Sequence, residues 1–117
     1  MSKYHNEVKD TIQAITNKGF KLIKVDWDRG YGTEDGEDYI DCKDGNVGKA
    51  TEAVLAVDDC HLFLESPSGD EVYVYFVLGN EPGVAVNDWL MPSDLNERAA
   101  LDAAITEVSE KYDPDYA

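Results

Sequence analysis

The alternation of apolar and polar positions is clearest in the middle of the chain. Cys60-His61-Leu62-Phe63-Leu64-Glu65 and residues 71–78 are apolar runs separated by Ser66-Pro67-Ser68-Gly69-Asp70. Pro, Gly, Ser and Asp supply turn geometry, so this pattern predicts an antiparallel hairpin. Side chains of a strand alternate between its faces, which puts Val72, Val74, Phe76 and Leu78 on one side and Tyr73, Tyr75 and Val77 on the other. A strand apolar on both sides belongs inside a sheet, and this second arm is expected at its centre.

Elsewhere the period changes. Tyr4, Val8, Ile12 and Ile15 recur at helical spacing behind a Ser2 cap, and Gly19 stands where glycine relieves a left-handed turn. Residues 20–27 read as a strand, with Ile23, Val25 and Trp27 on one face and Phe20 and Leu22 on the other. A short strand over residues 39–42 turns Ile40 and Cys42 inward. Asp44-Gly45 then turns the chain, and Asn46 caps a second helix reaching Val57 on a stripe of Ala50, Val54 and Val57. Residues 84–89 complete a meander with the hairpin. Asp94 and Glu97 have capping-box spacing ahead of a last helix striped by Leu101, Ile105, Val108 and Tyr112. The expected fold is one α+β domain over residues 1–117, with a loose tail at 113–117. Its antiparallel sheet has three to five strands, centred on the meander 60–89, and carries the N-terminal, short middle and C-terminal helices. Leu62, Leu64, Val72, Val74 and Phe76 are the expected helix-facing core.

Charge changes the picture more than composition does. Ten Lys and Arg stand against 25 Asp and Glu, a net charge of −15, although a 43% apolar share is ordinary for a folded domain. Residues 1–49 carry ten acids and eight bases; residues 50–117 carry 15 acids and only Arg98 and Lys111. Such a field argues against direct contact with nucleic acid or an anionic membrane and makes basic proteins the natural partners. The polar start, the lack of a long apolar span and two cysteines without metal or redox spacing predict reduced thiols in a bacterial cytoplasm, host- or phage-encoded.

No catalytic constellation emerges, and no cofactor is expected. Asp26, Asp28 and Glu37 occupy positions one, three and twelve of a calcium-loop window, but position five is Gly30 and position six is Tyr31, where the loop needs a ligand and a glycine. The glycines of residues 28–38 do not make a phosphate cradle, because five carboxylates crowd the same loop. His5 belongs to the first helix, His61 reads as a strand residue flanking aromatics rather than as a base, and Cys42 and Cys60 read as small core residues. The hairpin's second face, Phe63, Tyr73 and Tyr75 with His61, is joined by Trp89 if the strands pair in simple phase. It is expected to lie under a helix as a second core layer; left exposed, it would be a partner or dimer patch. No lysine or arginine lies on these strands to hold phosphates.

The segment Val77-Leu78-Gly79-Asn80-Glu81-Pro82, followed by Asn87-Asp88, resembles a turn of small acidic uncharacterised phage and bacterial proteins. The composition is similar to that of phage-encoded anti-CRISPR and anti-restriction inhibitors that imitate DNA. That likeness implies a non-enzymatic protein whose carboxylates occupy a basic, nucleic-acid-binding partner. The carboxylates expected to do so are Glu34, Asp35, Glu37 and Asp38 in the acidic loop and Glu107, Glu110 and Asp113 on the last helix. The alternatives are self-association through the aromatic face, including a homodimer, and weak binding of a divalent cation.

Overall fold

The computed structural model describes residues 5–26, 39–57, 59–78 and 85–112. The order is α1 (His5–Asn17), β1 (Lys21–Asp26), β2 (Tyr39–Asp41), α2 (Val47–Leu55), β3 (Asp59–Glu65), β4 (Glu71–Val77), β5 (Val86–Trp89) and α3 (Leu95–Tyr112). The five strands form one sheet in the order β2-β1-β3-β4-β5, every neighbouring pair antiparallel. This is the expected α+β fold. β4 is interior, but the middle position belongs to β3, because β1 pairs with β3 and leaves β2 on the outer edge. β2 and β3 both run antiparallel to β1, so they are parallel to each other, and α2 makes the crossover between them.

Local chemistry explains the joints. α1 ends with Lys18 and Gly19 N–H groups donating to the Ile15 and Thr16 carbonyls, and Gly19 adopts φ +96°, a conformation an L side chain resists. Asn46 caps α2 by accepting from the Lys49 N–H at 3.0 Å. The helix ends at Leu55, short of Val57, which still packs against the core. Asp94 caps α3 by accepting the Glu97 N–H at 3.0 Å. The reciprocal half of the capping box is replaced by a longer-range contact. The Glu97 carboxylate accepts the Ser68 N–H at 2.8 Å and the Ser68 hydroxyl at 2.7 Å, tying α3 to the β3–β4 turn. Asp70, in that same turn, accepts the Ser93 N–H at 2.8 Å.

One face of the sheet takes all three helices. Leu62, Leu64, Val72, Val74 and Phe76 are at most 1% exposed and form one cluster with Val8, Ile12 and Ile15 of α1, Ala50 and Val54 of α2, and Leu101, Ala104 and Ile105 of α3. β1 departs from strict alternation. A bulge between Leu22 and Lys24 shifts its register against β3, so Leu22 and Val25 are both buried while Ile23 is not. The simple phase expected for this strand is thereby corrected. Ser2, Tyr4, Trp27, the acidic loop 28–38 and the tail from Asp113 lie outside the described residues. Among the described residues, no helix is long and apolar enough to cross a membrane.

Candidate functional site

The second face of the sheet holds the rings. The register places Phe63 of β3 opposite Tyr73 of β4, and His61 opposite Tyr75. Their ring contacts follow from that pairing: His61 stacks on Tyr75 at 4.6 Å between centroids and meets Tyr73 edge-on at 4.8 Å, while Phe63 and Tyr73 meet at 5.9 Å. The Tyr75 hydroxyl donates to Asp59 at 3.0 Å. All four side chains are half-buried, and the described helices send their buried side chains into the cluster on the opposite face. The expected second core layer under a helix is therefore not found among the described residues.

Trp89 is not part of this group. It stands opposite Val74, and a bulge between Tyr75 and Phe76 resets the β4–β5 phase, so its indole packs against the helix-covered core. Leu90 replaces it. The Leu90 N–H donates to the Tyr73 carbonyl at 2.9 Å, which continues the ladder and puts Leu90, 46% exposed, opposite Tyr73 on the open side.

β1 and β2 contribute what the hairpin pattern did not reveal. Lys24 pairs across the ladder with Phe63, and its ammonium sits 5.1 Å from the Phe63 ring centroid and 5.2 Å from that of Tyr39. β3 and β4 carry no lysine or arginine, but β1 brings Lys24 onto the same rings. The registers also bring six carboxylates to this side, Asp26, Asp41, Asp59, Glu65, Glu71 and Asp88, against Lys21 and Lys24. At the Glu65–Glu71 end an open depression of about 410 Å³ is lined by Lys21, Leu22, Ile23, Lys43, Glu65 and Glu71. The result is a floor of rings with an anionic rim.

Of the acidic residues singled out for partner binding, two fall among the described residues. Glu107 and Glu110 are exposed on α3. Glu34, Asp35, Glu37, Asp38 and Asp113 lie outside the described residues. Many other carboxylates already serve the fold: buried Glu7 accepts the Ala85 N–H at 3.0 Å, and Asp44 accepts the Asn46 N–H at 3.1 Å, which holds its carboxyl below the usual range. Cys42 and Cys60 are buried in the core and not joined in a disulfide, and burial pushes the Cys42 thiol up. Among the described residues, no three His, Cys, Asp or Glu side chains converge to hold a metal ion.

No protein-family model, no curated protein and no solved structure matches this chain.

Proposed function

We propose that the protein is a non-enzymatic, acidic interaction protein that docks a basic protein surface through the open face of its sheet. The observation that supports this best is the Lys24 ammonium resting on Tyr39 and Phe63, because the chain itself seats a cation on these rings. Half-exposed aromatics contribute contact area at low entropic cost, and carboxylates around them steer cationic partners toward the patch. Self-association through the same face competes for it, but a net charge of −15 on each copy opposes that pairing.

A low-salt pull-down from bacterial lysate, run with the wild type and a Phe63→Ser variant as baits, tests the proposal. Basic proteins are expected on the wild type alone, released as salt rises from about 0.1 M to about 1 M. Retention that ignores both the salt and the substitution counts against it. The nucleic-acid-mimic form is the second reading. It draws on total charge and, among the described residues, on exposed Glu107 and Glu110. Elution of the captured protein by DNA or heparin is its distinguishing outcome.

A further inference from the structure

We propose that the Tyr73 end of the open face is a seat for an arginine side chain of the partner, the intermolecular counterpart of the seat that Lys24 fills within the chain. This rests on the docking proposal above and names the group that the face receives.

The β1–β2 half of the face shows how a cation is held. Lys24 spans two rings, those of Tyr39 and Phe63, with Asp41 opposite it in the ladder and Asp26 two residues further along β1. The β4–β5 half repeats these parts without the cation. Tyr73 lies between Phe63 and Leu90 across the ladder. Glu71 is two residues away on the same side of β4. Asp88 sits diagonally across on β5, opposite Tyr75, and such diagonal neighbours stand about 7–8 Å apart. From Ala50 to Glu97 the sequence contains no lysine or arginine, and among the described residues no lysine or arginine stands over the Tyr73 ring.

Geometry selects arginine over lysine. A guanidinium is planar and stacks on a ring while its fork of N–H donors reaches carboxylates on either side, here Glu71 and Asp88. An ammonium is a compact, strongly hydrated charge and uses the ring or one carboxylate less efficiently. The three-carbon stem of arginine also needs an apolar wall, which Leu90 supplies at 46% exposure.

The test titrates the full chain with nona-arginine and nona-lysine peptides at low salt. Heats are measured calorimetrically, and the tyrosine ring signals are followed by NMR. Nona-arginine is expected to bind about five- to tenfold more tightly, with the Tyr73 signals moving most. Tyr73→Ser and Asp88→Asn should each erase most of that preference and leave the nona-lysine affinity nearly unchanged. Tyr73→Phe, which retains the ring, should keep it, so a folding defect is separated from a lost contact. Glu107→Gln with Glu110→Gln should weaken both peptides alike. Equal affinity for the two peptides, with face signals still perturbed, overturns the arginine seat and leaves the docking proposal standing. No binding of either peptide at low salt overturns both. An arginine preference that survives Tyr73→Ser also overturns the seat.

Discussion

On β3, Leu62 and Leu64 have no exposed surface, while Phe63 between them stays half-exposed; on β4, Val72, Val74 and Phe76 alternate in the same way with Tyr73 and Tyr75. Successive residues of one strand thus serve two different ends. The covered face consists of branched aliphatics and Phe76 fitted against three helices, and its apolar surface is spent on folding. The open face consists of the Phe63 ring and the polar-tipped rings of His61, Tyr73 and Tyr75, set among carboxylates, and it keeps its apolar surface available for contact. The largest test of this contrast is a pair of truncations. Phe76→Ala is expected to cost about 3–5 kcal/mol, a large part of the total stability of a domain this size. Tyr73→Ala is expected to cost about 1 kcal/mol or less in the same urea titration, since its ring is half in water and a folding role would have to come from its neighbours on the sheet. Comparable losses from both would mean that the open face is a second core.

The seam between helices and sheet gives the next effect. Glu7 of α1 is only 4% exposed, and its carboxylate accepts the N–H of Ala85, itself fully buried, at 3.0 Å. The acid therefore belongs to the covered face. Glu7→Ala leaves a buried donor without this acceptor, and the expected loss is about 1–3 kcal/mol by urea unfolding. Exposed Glu107 on α3 supplies the control: Glu107→Ala should change stability by less than about 0.5 kcal/mol. If the two variants proved equal, the carboxylates would have to be read as one undifferentiated charge cloud.

Much of the covered face was legible because local signals agreed there. Period-two alternation placed Leu62, Leu64, Val72, Val74 and Phe76 inward, and glycines at 19, 45 and 69 take the positive φ that their turns require. The open face was legible only where two strands are joined by a short turn, which is how Phe63, Tyr73 and Tyr75 were found together. Lys24 and Tyr39 escaped notice because they arrive from strands distant in sequence, and a bulge at Leu22/Lys24 sets the phase of one of them. Trp89 would join the open face only in simple phase, and a second bulge, at Tyr75/Phe76, removes that condition. Bulges shift every later residue to the other face while leaving little trace in hydrophobic periodicity. Long-range carboxylate contacts were equally silent: Glu97 looked like half of a local capping box, yet its carboxylate reaches Ser68, 29 residues away.

The smallest effect lies in the helix layer behind the covered face, where α3 closes on α1. Asp10 receives the Tyr112 hydroxyl and, at 2.9 Å, the Lys111 ammonium. The Tyr112 hydrogen bond, and then the Lys111 charge, hold the Asp10 carboxyl below its ordinary value of 3.8. A carboxyl depressed by folding stabilises the fold above its unfolded value, and the contribution fades as pH falls through the lowered folded value. Lys111 is raised above 10.5, chiefly by its hydrogen bond to Asp10, and Tyr112 above 10.0, first by burial and then by Asp10. Their contributions are complete below those ordinary values and disappear as pH rises through the raised ones. The contact is therefore whole between about pH 4 and about pH 10. Asp10 is 34% exposed and Lys111 64%, so solvent screening keeps the worth of the pair small. Asp10→Asn should lower the melting temperature by no more than about 4 °C at pH 7, and the gap between variant and wild type should shrink toward zero near pH 2. A gap that stayed constant down to that pH would show that α1 and α3 are held there by packing alone, with no contribution from the Asp10 charge.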